Sequence, residues 1–404
     1  MSDERILTTG QGGRILTNVN VWSPDSEWIA YDTRSDVAGS SFDGIPIQLV
    51  HTKSGEVRTV YESRQGANCG VVSWHPTNMQ LVFILGPKHP TSEWTYSASR
   101  RQGVLLNLDD GRVENLDARD LVDPFTPGAL RGGTHLHVFH PQGHCLCSTY
   151  EDEHLRDGLR NVAVHWLGEA VNVSRTDPRN HDGVSHSVLV TQTTAKPTPG
   201  SDEISRACEE AWVGQSHQIA FQGTVTLCDG SACAEVFLAE LPENLEELKG
   251  LTLRANESIQ PPATVRQRRL TDTSTHRYPG LAGPRHWLRS NSEGTHIGCL
   301  KQDEQGVVQF WTVELKTKEL RQVTHGEEPI QSAFTWHPDG ERVALIRGGK
   351  VCLVNVGNGK TQHLTIPTDP PPRPESCVVS PDGKLIAFVR RIADANQIGI
   401  VSCG

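Results

Sequence analysis

His135 and His137 stand two residues apart in the run Arg131-Gly132-Gly133-Thr134-His135-Leu136-His137-Val138-Phe139. Alternate side chains of a strand share a face, so this spacing offers two imidazoles to one metal ion or one reacting proton. The competing reading is a packed strand feature. His286, between Arg285 and Trp287, carries the same two readings, ligand or histidine bonded to a neighbouring carbonyl. His186, which follows Arg179-Asn180-His181-Asp182, is a second candidate base. Arg131, Arg206 and Arg285 can each grip a carboxylate through two parallel hydrogen bonds, or hold a salt bridge within the fold. Tyr278, one of five tyrosines, is a base, a sugar-stacking ring or a buried ring. Asp202 and Glu203 suit either a metal or a loop cap.

These residues need a frame that gathers them, and the chain repeats one. An apolar strand, a Pro-Asp-Gly-like turn and a second apolar strand recur from end to end. The copies run from Val21-Trp22-Ser23-Pro24-Asp25-Ser26 through Trp74-His75-Pro76, Phe139-His140-Pro141-Gln142-Gly143, Leu227-Cys228-Asp229-Gly230 and Leu288 to Gly294, ending with Trp336-His337-Pro338-Asp339-Gly340 and Ser380-Pro381-Asp382-Gly383. Proline sets φ at the first corner, aspartate caps its own backbone and glycine takes the positive φ that closes a hairpin. Each copy predicts the inner hairpin of a four-stranded blade. Seven copies predict an all-β, seven-bladed propeller, one domain over 1–404, with insertions near 151–215 and 242–265. The segment Ile6 to Thr17 precedes the first turn, and pairing it into the last blade would close the ring and cover an exposed edge. The repeated turn histidines His75, His140 and His337 point to blade packing. In that frame Arg131, His135, His137, Arg285, His286 and Gln331 fall near the axis, at the cavity end of their inner strands.

Composition narrows the function. A net charge of -10 with no large basic cluster argues against a nucleic-acid surface. The N-terminus Met1-Ser2-Asp3-Glu4-Arg5 leads into no secretory stretch, and no run of about 18 apolar residues marks a membrane span. The ten cysteines follow no ligand spacing and are read as reduced thiols of a cytoplasmic protein. No G-x-S-x-G, P-loop or dinucleotide fingerprint occurs, so no organic cofactor is expected.

The strings Gln65-Gly66-Ala67-Asn68-Cys69-Gly70, Arg131-Gly132-Gly133-Thr134-His135-Leu136-His137, Pro199-Gly200-Ser201-Asp202-Glu203-Ile204 and Gly283-Pro284-Arg285-His286-Trp287 carry a resemblance. Across nearly its whole length the chain resembles the YidR-like bacterial proteins, a TolB-like propeller family distantly similar to oligogalacturonate lyase. That enzyme holds a divalent metal through histidines and a glutamine. Its metal binds a uronate carboxylate and acidifies the C5 proton before an oxygen leaves C4. On this likeness Gln331 corresponds to the ligand glutamine, His137 and His286 to further ligands, and manganese, calcium or zinc to the ion. Phe334 and Trp336 occupy the stretch where the lyase pattern has histidines. The resemblance implies a metal-assisted lyase on acidic, uronate-containing oligosaccharides or another small anionic ligand. His135 or His186 would be its base, and Arg131, Arg206 and Arg285 would neutralise the carboxylate. The alternative is a non-enzymatic TolB-like propeller that binds a protein or small ligand.

Overall fold

A computed structural model describes residues 3–155, 158–248, 260–284, 287–375 and 377–404. Among them every element longer than four residues is a strand, and the helical turns are the short 3-10 segments Ala98–Arg100 and Leu245–Leu248. No helix among the described residues is long and apolar enough to cross a membrane.

The turn chemistry operates as the motif requires. Asp382 Oδ1 accepts the Lys384 N–H at 3.1 Å and Gly383 adopts φ 72°, so Val378–Val379 folds back onto Leu385–Ile392. Asp339 Oδ1 accepts the Glu341 N–H at 2.9 Å, and Thr335–Trp336 folds back onto Arg342–Arg347 in the same way. The fourth copy differs from expectation. Strand Ile204–Trp212 turns into Gln218–Thr226 through Gly214, at φ 53°, with neither proline nor aspartate to announce it. Asp229-Gly230 instead closes the following hairpin, Gln218–Thr226 with Ala232–Glu240; Asp229 Oδ1 caps Ser231 N–H at 2.8 Å.

The strands form two eight-stranded and three four-stranded sheets. Each eight-stranded sheet is joined at its middle by one parallel pair, Gly13 with Asn396 and Arg160 with Arg206. Much of the stretch read as an insertion near 151–215 is regular sheet, in strands Arg160–Val171, Gly183–Leu189 and Ile204–Trp212. Of the second insertion, 249–259 lies outside the described residues.

Sheets bury both faces. In Arg342–Arg347, Val343 and Leu345 join a core with Phe310 and Phe334, whereas Ala344 and Ile346 join one with Ile386 and Phe388. Strands covered on both sides read as continuous apolar runs. One further core unites Ile29, Tyr31 and Val50 with Ala387, Val389 and Ile398, bringing the two ends of the chain together. Strand Arg5–Ile6 pairs antiparallel with Ala395–Ser402, the pairing anticipated for the N-terminal segment.

Side chains also stitch the inner strands laterally. Trp22 Nε1 donates to Val378 O at 2.9 Å, Trp212 Nε1 to Val138 O at 3.0 Å and Trp336 Nε1 to Arg289 O at 2.9 Å. Asn18 Nδ2 donates to His137 O at 3.0 Å. The turn histidines join successive turns: His75 Nε2 lies 3.2 Å from Gly143 O and His337 Nε2 2.9 Å from Gly383 O. All ten cysteines are free thiols. Burial pushes Cys69, Cys145 and Cys299 up to about 12, so these thiols are inert at neutral pH.

Candidate functional site

Three inner strands carry the same irregularity. Val71, Leu136 and Glu209 adopt φ values of 59°, 61° and 56°, and the pairing register shifts between Gly70 and Ser73, His135 and Val138, and Cys208 and Ala211. A non-glycine residue in the left-handed region marks a β-bulge that redirects neighbouring side chains. The bulge residues line one cavity of about 220 Å³, at the end of the inner strands away from the Pro-Asp-Gly turns.

The chemistry of this cavity comes from Arg34, Tyr96, Arg101, His135, Glu209 and Trp287. Arg34, at the end of strand Trp28–Arg34, is buried; its Nη1 lies 2.6 Å from Asp32 Oδ2 and its guanidinium 5.0 Å from the Phe42 ring centroid. Arg101 Nε donates to Tyr96 Oη at 2.8 Å, and Tyr96 stacks on Phe42 at 4.7 Å. Burial raises the Tyr96 hydroxyl above its ordinary value, against a smaller opposing pull from Arg101. Glu209 Oε2 is buried and meets no hydrogen-bond partner among the described residues. Two guanidinium groups, an imidazole, a phenol and a carboxylate thus share a small polar chamber, able to hold an anion and to exchange a proton.

Of the residues read from the sequence as catalytic or metal-ligand candidates, His135 lines this chamber and the other described ones do not. The bulge separates His135 from His137 and breaks the alternation that placed both on one face. His137 is fully buried, its Nε2 3.0 Å from Thr134 Oγ1, and burial pushes it down to about 3. Arg131 resolves to its structural reading: Nε donates to Asp152 Oδ2 at 2.6 Å and the guanidinium lies over Phe125. Arg206 is exposed in the strand Ile204–Trp212. His186 sits on strand Gly183–Leu189, packed tightly against Gly128. Tyr278 packs beside Gly306, and its carbonyl accepts from Lys301 Nζ at 3.0 Å. Gln331 Oε1 accepts the Gly349 N–H at 2.7 Å and so braces a turn. Arg285 and His286 lie outside the described residues.

The ligand set expected for a divalent metal does not fit these positions. Gln331 Oε1 and His137 Nε2 are engaged inside the fold, His137 Nδ1 is buried without a partner among the described residues, and no group of three His, Cys, Asp or Glu side chains among the described residues is arranged to hold an ion. Arg34, Tyr96 and Arg101 were missed by sequence reasoning. Arg34 ends a second strand and Arg101 follows the loop after Leu85, so the inner-strand repeat contains no signal for either.

The family described as "Protein of unknown function (DUF3748)" matches residues 68–181. Among solved structures, an oligogalacturonate lyase in complex with manganese superposes with a TM-score of 0.60 at 11% identity, covering 99% of this chain and 93% of that one. The oligogalacturonate lyase of Vibrio parahaemolyticus gives 0.60 at 9% identity, with the same coverage of 99% and 93%. At these identities the likeness concerns the fold, an all-β, propeller-like arrangement. A protein of Escherichia coli (strain K12), the uncharacterized protein YidR, is 41% identical over 394 residues, spanning 95% of this chain and 94% of its own; the chain belongs to the YidR family.

Proposed function

We propose that the chain is a lyase of acidic, uronate-containing oligosaccharides, with the chamber around His135 as its active site. The observation that carries this reading is the convergence of Arg34, Arg101, His135, Tyr96 and Glu209 on one cavity of about 220 Å³. In a β-elimination the C5 proton of a uronate passes to a base while the C5–H electron pair becomes the C4–C5 double bond and the C4–O bond breaks. His135 is the proposed base. Arg34 and Arg101 face the carboxylate and stabilise the charge that develops on it. Tyr96, whose hydroxyl desolvation holds above its ordinary value, gives its proton to the departing oxygen. The ten free thiols fit action in the reducing cytoplasm.

Within this reading the scaffold is a seven-bladed propeller. Dividing the two eight-stranded sheets at their single parallel pairs turns the five sheets into seven sets of four strands.

The test is formation of unsaturated uronate, followed by ultraviolet absorbance, on a panel of uronate oligosaccharides with chelator present and with manganese added. His135→Asn should lower kcat at least about 100-fold, the scale of a lost general base, and Arg101→Gln should mainly raise KM. Absence of unsaturated product across the panel overturns the lyase reading. A second reading, a module that binds acidic sugars without turning them over, is favoured by the commitment of His137 and Gln331 to structural hydrogen bonds. Saturable binding that Arg101→Gln weakens, with no absorbance change, selects it.

A further inference from the structure

Two opposite charges line the polar chamber without meeting each other. Arg34 already has its counter-ion in Asp32. Arg101 has none: its Nε goes to the Tyr96 hydroxyl, and no carboxylate among the described residues lies within ion-pair distance of it. Glu209 is its complement. It is half-buried and lines the same cavity, with Oε2 buried and unpartnered, and no ion pair or hydrogen bond reaches its carboxylate among the described residues.

The bulge between Cys208 and Ala211, with Glu209 at φ 56°, turns this side chain out of the strand's alternation and into the chamber wall. Behind that wall lies Arg289, on which Glu209 acts more strongly than any other charge. Arg289 does not satisfy it: Nη1 donates to the carbonyls of Leu288 and Glu210, and Nε and Nη2 have no partner among the described residues. A ligand bearing only a carboxylate would meet Arg101 and bring a second negative charge into the same cavity of about 220 Å³. Like charges in a small, poorly hydrated space disfavour each other. A ligand that also carries a cation completes both groups.

We propose that the chamber takes a zwitterionic sugar, an amino-bearing uronate whose carboxylate meets Arg101 and whose ammonium meets Glu209. This assignment rests on the reading of the chamber as a uronate site and names the sugar. In that reaction C4 carries the departing oxygen, and C5 carries the carboxyl and the reacting proton. On the same ring the ammonium therefore belongs at C2 or C3. Glu209 is then the residue that selects an amino from a hydroxy sugar, because an ammonium brings three donors and a charge where a hydroxyl brings one donor and none.

The probes are the 2-amino-2-deoxy and 3-amino-3-deoxy uronates of the galacto and gluco series, titrated calorimetrically against the full chain with chelator present. Beside them stand the plain uronates, with a hydroxyl for the ammonium, and the matching amino sugars, with a hydroxymethyl for the carboxylate. At least one amino-uronate should bind at least about tenfold more tightly than either counterpart, the scale of one charged hydrogen bond. Glu209→Gln should erase the preference over the plain uronate and keep the preference over the amino sugar; Arg101→Gln should do the reverse. Plain uronates bound as tightly as their amino counterparts, or no binding of any amino-uronate at millimolar concentration, would overturn the assignment. The comparison on the wild-type chain decides the matter even if Glu209→Gln fails to fold. Unsaturated product from plain uronate oligosaccharides without an amino preference sinks this assignment alone. An amino preference without product from any oligosaccharide supports it and sinks the lyase step alone.

Discussion

Glu210 neighbours Glu209 in sequence but occupies a different world, fully buried with Oε2 accepting from Thr149 Oγ1 at 2.9 Å. Burial pushes its carboxyl up to about 8 from an ordinary 4.5. A raised carboxyl pKa favours the folded state while both states are protonated, and that contribution is lost as the unfolded chain ionises and the folded one does not. Stability from Glu210 is therefore complete below about pH 4.5 and falls until pH 8, by up to about 5 kcal/mol at 1.36 kcal/mol per unit. Glu210→Gln should flatten the urea-unfolding free energy between these pH values and leave it higher at pH 8; an unchanged slope would show that the carboxyl titrates normally. His137 works in the other direction. Its pKa, lowered to about 3 by burial, contributes stability present above about pH 6.5 and lost as pH falls through 3, so its ring resonance should show the neutral form from pH 8 down to pH 4. The repeat placed His135 at a strand end, and there it lines the polar chamber. The sequence misdirected the reading of His137, because alternation was assumed across a bulge that leaves no mark in residue type.

The bulge is also where an element stores strain. Val71, at φ 59°, is β-branched and 5% exposed, packed with Ile84 and Leu136. A branched side chain in the left-handed region costs about 1–2 kcal/mol that glycine avoids. Replacing Val71 loses packing in either case, so the informative comparison is between two truncations. Val71→Gly should be more stable than Val71→Ala by about 1 kcal/mol, the reverse of their order in an ordinary strand, where glycine is the worse by about 0.5–1 kcal/mol. Denaturant midpoints of the two variants check this, and an alanine variant equal to or better than glycine would mean that the segment relaxes to extended backbone. Most hairpins of the fold were readable from Pro, Asp and Gly. The fourth inner turn was not, because Gly214-Gln215-Ser216 achieves with one glycine at φ 53° what other copies achieve with a three-residue signature. Asp229-Gly230, a better turn sequence, belongs to the next hairpin.

At the scale of the whole molecule the two ends of the chain hold one another. Strand Arg5–Ile6 lies along Ala395–Ser402, Leu7 N–H donates to Ile398 O at 2.8 Å, Thr8 Oγ1 donates to Gln397 Oε1 at 2.8 Å, and Arg390 Nε pairs with Glu4 Oε1 at 2.6 Å. The polar chamber around His135 draws part of its wall from Thr17 and Arg34, and Arg34 ends a strand of the sheet that holds both chain ends. Its shape therefore depends on this clasp. Deleting residues 1–9 removes the buried Leu7 side chain, worth about 1.5–3 kcal/mol, and strips the ladder from Ala395–Ser402, leaving an edge that can pair with another chain. The truncated chain should unfold at a lower temperature and elute in size-exclusion chromatography as larger species than the full chain does. Adding back a peptide of residues 1–12 in trans should restore the full chain's elution, because it supplies the missing strand rather than a general stabiliser. A truncated chain with unchanged melting and unchanged elution would mean that the inner-strand hydrogen bonds, Trp22 to Val378 among them, hold the chain ends together without the outer strand.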